Sequence, residues 1–379
     1  MSILERALAD LRGGALEVVL PDGSARRFGT GAPVRLEIRD RAFFRRLATR
    51  GKLGLGESYT AEEWETDDLV ALFELLLRNA DAAAGRHSRV KRLLELRPRL
   101  NRRNGLVRAR RNIAYHYDLG NELFGLMLDE TMTYSCAVFE HPDMPLGDAQ
   151  RAKYERLCAK LELGSDDHVL EIGCGWGGFA QYAASTYGCR VTGLTISHEQ
   201  AVVARERTAG LPVEILEQDY RMIDGEFTKV ASIEMLEAIG ENQFGTYFAT
   251  IDRVLARGGR AAVQTILVPE QRWERYRRTP DWIERYIFPG CLIPSLASLT
   301  KAAAKSSRLG IYEVDEIGPH YAVTLRRWRA NFHERIADVR ALGYDRRFER
   351  TWDFYLAFCE AGFRTRALRD VQLLLQRAG

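Results

Sequence analysis

Hydrophobic and polar positions follow two different rhythms along the chain, with the change near residue 112. In the first part, LEVVLPDGSARRF has the pattern of a hairpin around a PDG turn, and VRLEIRD alternates with a period of two, as a half-buried strand does. SILERALADL, RAFFRRLAT and DDLVALFELLLRN instead carry apolar residues at helical spacing. These patterns predict a small α+β domain over residues 1–85.

From about residue 113 onward, short apolar strands alternate with amphipathic helices. The predicted strands are HVLEIGCG, CRVTGLTI, VEILEQD, VASIEM and GGRAAVQTIL, and a helix, DFYLAFCEAGF, and a strand, VQLLLQR, end the chain. Such alternation is typical of a parallel sheet with helices on both faces. The sequence therefore predicts an α/β fold with a doubly wound, Rossmann-like catalytic domain over residues 113–379. Two aromatic-rich helical patches predict a substrate-shaping insertion at about residues 268–325.

The segment between the two predicted domains, residues 86–112, is strongly basic. It holds eleven Lys and Arg against one Glu, a charge of +10, whereas the whole chain carries +3. An anionic membrane surface is the partner that we expect, because each cation near such a surface contributes about 1 kcal/mol. A solvated basic helix is the alternative. Nucleic acid is not expected, since no recognised nucleic-acid-binding fold accompanies the basic run.

Composition bounds the remaining possibilities. The 379 residues are 46% hydrophobic and 28% charged, as in soluble globular proteins, and their number favours two domains. No secretory signal is recognisable, and the apolar run LVALFELLLRNA is shorter than the ~20 residues that span a bilayer. The six cysteines lack metal-ligand spacing, so neither a metal site nor a disulfide framework is expected. We predict a cytoplasmic protein that associates peripherally with the inner face of the membrane.

A glycine loop, VLEIGCGWGG, joins a predicted strand to a predicted helix. Gly173, Gly175 and Gly178 satisfy the dinucleotide motif G-x-G-x-x-G, but that site also needs an acidic residue about 20 residues further on, where this chain reads GLTIS. The acid lies instead at Glu171, before the glycines. This order is typical of S-adenosylmethionine (SAM) methyltransferases, where the carboxylate helps to position the cationic amino-acid end of the cofactor. A structural turn without a ligand is the remaining interpretation.

Several further segments carry a more specific resemblance, and they extend over nearly the whole chain. The chain resembles the cyclopropane-fatty-acyl-phospholipid synthase family, which includes the mycolic acid cyclopropane synthases and methyltransferases. The segments that carry the resemblance are GKLGLGESYTAEEWETDDL, YHYDLGNELFGLMLDETMTYSCAVFE, VLEIGCGWGGFA, VTGLTISHEQ, LEQDYR, MLEAIGE and YIFPGCLIPS. The resemblance implies SAM-dependent attack on a cis double bond in an unsaturated acyl chain of a membrane phospholipid. Homodimers are common in this family.

The resemblance also implies which residues form the site. At the cofactor it places Tyr117, Tyr134, Ser135, Gly173, Gly175, Thr195, Ile196, Gln200, Gln218 and Asp219. Around the reacting centre it places Cys136, Glu237, Ile266 and Tyr321, where family members hold a bicarbonate ion that acts as the base. Cys136 is expected to contribute hydrogen bonds and not a covalent bond, because methyl transfer from SAM needs no nucleophilic thiol. Spacing alone leaves open whether Glu237 or the nearby Glu241 points inward, and family position favours Glu237.

Two positions depart from the family pattern. The family commonly has Glu-His where this chain reads Glu237-Ala238, and His-Thr-Ile where it reads Gln264-Thr265-Ile266. A Gln side chain cannot titrate, so Gln264 and Glu237 could hold bicarbonate but the proton relay is altered. A cyclopropane is the expected product, with a methylene- or methyl-branched chain as the alternative. A small-molecule or RNA methyltransferase and a lipid-binding module without activity are the other classes, and the apolar segment WIERYIFPGCLIPSLASL argues against the first.

Overall fold

The computed structural model describes residues 8, 10–84, 120–279 and 281–377. The basic segment 86–112, Tyr117 and most of the predicted first helix lie outside these residues. Backbone contacts divide the chain into two units. Unit 1 comprises Met1–Leu100, Arg278–Ile283 and Leu325–Ala367, and unit 2 comprises Asn101–Arg277, Glu284–Thr324 and Leu368–Gly379.

Strands and helices follow one another as the sequence predicts over most of the described residues. In chain order the strands are β1 (Ala15–Val19), β2 (Ala25–Gly29), β3 (Pro33–Ile38), β4 (Trp64–Thr66), β5 (His168–Ile172), β6 (Arg190–Thr195), β7 (Val213–Glu217), β8 (Phe227–Ile233), β9 (Leu255–Leu267), β10 (Leu309–Glu316) and β11 (Arg369–Arg377). The helices are α1 (Ala42–Arg50), α2 (Lys52–Thr60), α3 (Leu69–Ala84), α4 (Asn121–Met127), α5 (Leu146–Leu161), α6 (Gly178–Tyr187), α7 (His198–Arg207), α8 (Phe244–Val254), α9 (Glu270–Tyr276), α10 (Trp282–Tyr286), α11 (Leu296–Ser306), α12 (Gly318–Glu334), α13 (Ile336–Ala341) and α14 (Arg346–Arg364). None of the helices within the described ranges is long and apolar enough to cross a membrane.

Unit 1 contains a four-stranded sheet in the order β2-β1-β3-β4. The PDG turn closes the predicted hairpin, and β1 and β2 pair antiparallel from Ala15 opposite Gly29 to Val19 opposite Ala25. Helix α14 belongs to this unit, and its Phe354 ring packs 4.8 Å from Phe73 of α3. The prediction of one continuous domain from residue 113 to 379 was therefore wrong for residues 278–283 and 325–367. Periodicity located α14, but it does not encode which apolar surface an amphipathic helix covers.

Unit 2 contains the predicted doubly wound sheet, in the order β10-β11-β9-β8-β5-β6-β7. Strands β9, β8, β5, β6 and β7 are parallel, whereas β11 and β10 run antiparallel to their neighbours. The Rossmann-like prediction is confirmed, but the sheet is mixed and β10 was missed. The acidic residues of β10 obscure its apolar pattern, and Asp315 among them accepts from Arg156 Nε at 2.7 Å. Charged residues of this kind protect an edge strand from pairing with other chains.

The two faces of the central sheet are both buried. On β5, Leu170 and Ile172 enter one apolar cluster, and Val169 enters a second cluster with Phe179 of α6. Burial on both faces is characteristic of doubly wound sheets, whose ligands bind at the carboxyl ends of the strands. A ligand site is therefore expected at the loops after β5, β6 and β8, together with the last residues of β9.

Candidate active site

The glycine loop follows β5 directly and adopts the conformation that its glycines allow. Gly173, Gly175 and Gly177 have φ angles of 85°, 52° and 83°, a region that side chains with a Cβ rarely occupy. A Cβ at Gly173 would lie 2.8 Å from Met235 Cγ, whereas no heavy atom lies within 4 Å of the corresponding position at Gly175. The loop is thus tightly packed at its first glycine and open at its second. An open backbone before a helix N-terminus suits a closely approaching nucleotide ligand.

Glu171 lies in β5, two residues before the loop, and its side chain is buried. Burial raises the pKa of this carboxyl to about 8, although the charge of Lys153 and a hydrogen bond from the backbone of Ala180 oppose the shift. Its Oε2 atom is buried without a hydrogen-bond partner. An unsatisfied buried carboxyl oxygen is costly, and a cationic ligand group would compensate for it.

The loop after β6 is ordered by its own side chains. Thr195 Oγ1 donates to Gln200 Oε1 at 3.0 Å and accepts from the Ser197 backbone N–H at 3.2 Å. Ser197 caps α7 by accepting from the backbone of Gln200. Ile196, between them, is half-buried. The predicted residues Thr195, Ile196 and Gln200 thus lie together at the carboxyl end of β6.

Other residues predicted at the cofactor have protein partners. Asp219 receives hydrogen bonds from Arg221 Nε at 2.8 Å and from Arg221 Nη2 at 2.7 Å, and the neighbouring Gln218 is half-buried. The hydroxyl of Ser135 accepts from Lys153 Nζ at 2.7 Å. The side chain of Ser135 is therefore committed to Lys153, which the sequence did not single out.

An aromatic row adjoins these loops. The ring of Tyr134 lies 5.2 Å from Phe124 and 6.4 Å from Phe288, and Phe124 lies 5.1 Å from Trp176 of the glycine loop. Trp176 donates from Nε1 to Asn121 Oδ1 at 2.7 Å, which fixes the indole. Aromatic faces attract cations within about 6 Å, so this row can stabilise positive charge at the site.

A half-buried carboxylate, Glu234, stands at the centre of the polar groups beyond β8. Its Oε1 accepts from the backbone N–H of Cys136 at 2.8 Å and from Gln264 Nε2 at 2.9 Å. Its Oε2 accepts from the hydroxyl of Tyr321 at 2.6 Å. Three of the predicted residues thus converge on a carboxylate that the sequence analysis did not name.

Two buried residues of β11 complete this cluster. Gln264 and Gln372 are opposite each other in the β9–β11 ladder, and Gln372 Nε2 donates to Gln264 Oε1 at 3.2 Å. This contact directs the amide nitrogen of Gln264 toward Glu234, and Asp370 Oδ2 lies 3.3 Å from the same nitrogen. Burial, and then the charge of Glu234, raise the pKa of Asp370 well above its usual range.

Glu237 lies beside this cluster and has its own hydrogen-bond partners. Its Oε1 accepts from Thr265 Oγ1 at 2.8 Å and from the backbone N–H of Ile266 at 2.5 Å. Its Oε2 is buried without a partner, and burial together with the charge of Glu234 raises its pKa to about 7. Glu241, by contrast, is exposed and faces Arg277 Nη1 at 3.3 Å.

The acidic groups of this cluster are only weakly neutralised by their buried neighbours, Lys153 and Cys136. Burial lowers the pKa of Lys153 to about 8, although the charge of Glu234 acts in the opposite direction. Burial, followed by the charges of Asp370 and Glu234, raises the pKa of the Cys136 thiol well above its usual value. A thiol of this kind stays protonated at neutral pH and is a poor nucleophile.

Four residues of the cluster were not predicted from the sequence: Glu234, Asp370, Lys153 and Gln372. One signal was available for Glu234: it directly follows a buried parallel strand, at the edge of the sheet where ligands bind. Asp370 begins the apolar run of the last strand, where a buried carboxyl is unexpected. Lys153 offers no such signal, because a Lys on an amphipathic helix is usually exposed. In the described residues, no group of three or more His, Cys, Asp or Glu side chains is arranged to hold a metal ion.

The resemblance implies two bound groups, SAM and bicarbonate, and the residues of this site fit only SAM. The open glycine loop and the unsatisfied oxygen of Glu171 fit SAM, which pairs a nucleoside with a cationic amino-acid end. Bicarbonate does not fit: the backbone N–H of Cys136 and the Tyr321 hydroxyl donate to Glu234, and the Ile266 N–H donates to Glu237. Gln264 likewise directs its amide nitrogen to protein oxygens.

Known proteins with similar sequences show the family to which this chain belongs. Residues 105–373 match the family described as mycolic acid cyclopropane synthetase. The chain is 40% identical to the tuberculostearic acid methyltransferase UfaA1 of Mycobacterium tuberculosis, over 96% of this chain and 88% of that protein. It is 37% identical to the cyclopropane-fatty-acyl-phospholipid synthase of Escherichia coli, over 91% of this chain and 88% of that protein.

Solved structures give the same result for the fold. The mycolic acid cyclopropane synthase CmaA1, complexed with SAH and CTAB, superposes with a TM-score of 0.66 at 30% identity, over 71% of this chain and 98% of that one. The cyclopropane synthase MmaA2 from Mycobacterium tuberculosis superposes with a TM-score of 0.65 at 28% identity, over 70% of this chain and 97% of that one. The chain therefore belongs to the mycolic acid cyclopropane synthetase family and is a SAM-dependent methyltransferase of the cyclopropane synthase type.

Proposed function

We propose that this enzyme adds a one-carbon group to the cis double bond of an unsaturated fatty acyl chain of a membrane phospholipid. The observation that carries this proposal is an aromatic row, Tyr134 and Phe288, followed two residues beyond Tyr134 by a backbone N–H that donates to a partly accessible carboxylate, Glu234. An alkene is a weak nucleophile that becomes a carbocation on methylation. Its methyltransferase must therefore stabilise positive charge and then remove a proton.

When bound, SAM supplies an electrophilic methyl group. The π electrons of the alkene form the new carbon–carbon bond as the sulfur–methyl bond breaks, which leaves the positive charge on the neighbouring carbon of the acyl chain. The faces of Tyr134 and Phe288 are suited to stabilise that charge, and the site must keep water from adding to it. A carboxylate then removes one proton.

The product depends on which electron pair neutralises the cation. A cyclopropane results if the added methyl loses a proton and the freed pair closes the ring, and we propose this product for the enzyme. A methylene-branched chain results if a hydride shifts before the same proton is lost. Gln264, which replaces a titratable His of the family, favours this second candidate, as does the similarity to a tuberculostearic acid methyltransferase.

The lipid product can be tested by expressing the chain in a host that lacks cyclopropane fatty acids, with oleate and methionine labelled at the methyl group with deuterium. Gas chromatography with mass spectrometry should reveal an acyl chain heavier by one labelled carbon that retains two of the three deuterons, because one is lost to the base. Retention time separates the ring from the methylene branch. Absence of label from all lipids, in cells where the purified enzyme binds SAM, would contradict a lipid substrate.

We further propose that the enzyme acts as a peripheral protein at the cytoplasmic face of the membrane, with the basic segment 86–112 on anionic headgroups and the N-terminal residues 1–85 as the lipid-docking part. The charge of +10 in that segment supports this proposal. Co-sedimentation with phosphatidylglycerol vesicles should weaken in high salt and on changing Arg102, Arg103, Arg110 and Arg111 to Glu. Binding that is indifferent to both would contradict the electrostatic mechanism. Equilibrium sedimentation would test whether the chain forms the homodimer that is common in its family.

A further inference from the structure

The donors that the family resemblance assigns to a bicarbonate ion are already occupied by a side chain. The backbone N–H of Cys136 lies 2.8 Å from Glu234 Oε1, and the Tyr321 hydroxyl lies 2.6 Å from Glu234 Oε2. Gln264, at the position of the replaced His, points its amide nitrogen at Glu234 Oε1. One carboxylate, with the same planar arrangement of two oxygens that bicarbonate presents, thus satisfies all three groups.

The backbone at Glu234 indicates that this carboxylate is held at a cost. Glu234 has a φ of 49°, in the left-handed region that glycine adopts freely and other residues adopt with strain. Strained residues of this kind persist where the surrounding structure requires them, and they cluster at active sites. This backbone conformation places the Glu234 side chain in the polar cluster. A glycine at the same position would leave the three donors without this acceptor.

We propose that Glu234 is the general base of this enzyme and replaces bicarbonate; this inference rests on the lipid methylation proposed above. An oxygen of Glu234 accepts a proton from the carbon that was added to the acyl chain. The pair of electrons left by that C–H bond forms the ring bond or the methylene double bond, and the acyl chain becomes neutral. The proton on Glu234 is released to solvent before the next turnover.

The groups around Glu234 support this role more than they support Glu237 as the base. Asp370 lies beside it, within 3.3 Å of the shared partner Gln264 Nε2, and the buried Lys153 contributes a nearby positive charge. Glu237 is 9% exposed and is held by Thr265 and Ile266, whereas Glu234 is partly accessible. A base must reach its proton directly or through one water, so the accessible carboxylate is the better placed.

The direct test measures whether the ion has a place to bind. We would titrate ¹³C-labelled bicarbonate into the purified full chain with SAH present and follow line broadening of the ion by NMR. The wild type should show no saturable binding. Glu234→Gly, which removes the carboxylate and suits the left-handed backbone, should bind the ion and be displaced by unlabelled bicarbonate. Glu226→Gln, at an exposed position of unit 2, should behave as the wild type.

The second arm measures turnover in buffers freed of carbon dioxide, with vesicles that contain oleoyl lipid. Wild-type turnover should not change on depletion, and Glu234→Gln should lose activity by about 100-fold or more, the usual contribution of a general base. Glu234→Gly should recover part of its activity only when bicarbonate is added. Labelled SAM should bind all variants with similar affinity in equilibrium dialysis, which shows that the cofactor site remains folded.

Saturable bicarbonate binding by the wild type, a fall in its turnover on depletion, or full activity of Glu234→Gln would each overturn the inference. If the wild type binds SAM but methylates no lipid, the proposed function fails, and the NMR comparison still decides whether Glu234 fills the anion position. These failures are therefore distinguishable.

Discussion

Each unit of the protein contains a network of ionisable groups around buried carboxyls, and the two networks shift the pKa values of these carboxyls in opposite directions. In unit 1, Asp353 Oδ1 accepts from Arg329 Nε at 2.6 Å and from His333 Nε2 at 2.7 Å, and Tyr59 donates to Oδ2 at 3.1 Å. Burial alone would raise the pKa of Asp353, but these hydrogen bonds and charges outweigh it and hold the pKa well below the usual range. This carboxylate is ionised and fully paired.

In unit 2, three carboxyl groups lie close together with mostly neutral partners. Burial, and then the charge of Glu234, raise the pKa values of both Asp370 and Glu237. The one buried cation described in this cluster, Lys153, donates its described hydrogen bond to a serine and not to an acid. Incomplete compensation is expensive for stability, yet it produces groups that can exchange protons near neutral pH. Asp353, Asp370 and Glu237 are all buried, so burial does not distinguish the two networks. The difference is pairing: a buried carboxylate with charged partners belongs to a structural network, and one without them can take part in proton transfer.

The largest effect should come from breaking the paired network of unit 1. Asp353→Asn leaves Arg329 and His333 without their anionic acceptor, so we expect the free energy of unfolding to fall by about 3 kcal/mol. Urea denaturation at pH 7 would measure it. The difference from wild type should shrink as pH falls below about 4, where the unfolded Asp is protonated, because a depressed pKa stabilises only above that range.

A surface pair in the same unit provides the control for Asp353. Glu62 and Arg346 form an ion pair with exposed side chains, so Glu62→Gln should cost less than about 1 kcal/mol. An equal loss for both variants would show that the buried network is worth no more than a surface ion pair.

The next effect should have the opposite dependence on pH. The pKa of Glu237 is about 7 in the folded protein and about 4.3 in an unfolded chain, so its contribution to stability is present below about pH 4 and is lost as pH rises through 7. Between pH 5 and pH 8.5, the free energy of unfolding of Glu237→Gln should fall by about 2 kcal/mol less than that of the wild type. Parallel pH curves for the two proteins would contradict the raised pKa of this group.

The smallest of these effects concerns one neutral donor to Glu234. Tyr321→Phe removes the hydroxyl that donates to Glu234 Oε2, and we expect kcat to fall by about 10-fold, as loss of one hydrogen bond to a charged group would produce. In the Glu234→Gln background the same change should have little further effect on kcat, because the acceptor of this hydrogen bond has already lost its charge. A purely structural role for Tyr321 would lower kcat by the same factor in both backgrounds.

Exposed Tyr312 provides the matched control for this experiment. Its side chain is 59% exposed in the same unit, so Tyr312→Phe should leave kcat unchanged. A similar fall in kcat for both variants would attribute the effect to loss of a phenol in general and not to the contact with Glu234.

Most individual elements could be predicted from local patterns, and the errors have physical causes. The hairpin of β1 and β2, the glycine loop and the alternating strands of unit 2 follow from turn residues and periodicity. The direction of β11 could not be predicted, because an apolar run such as VQLLLQR is compatible with either orientation beside β9. The assignment of α14 to unit 1 depends on Phe354 packing beside Phe73, a contact across 281 positions of sequence that no periodicity describes.

The fold class, the cofactor and the family follow from the sequence alone, because each depends on short motifs whose residues are neighbours along the chain. Which groups meet at the reacting centre depends on the tertiary structure. Cys136, Glu234, Gln264, Tyr321 and Asp370 come from separate elements of unit 2, and their hydrogen bonds form only when the carboxyl ends of the strands come together. The role proposed for Glu234 depends on its contacts with these groups, and such interactions depend on distances in space that spacing along a sequence does not contain.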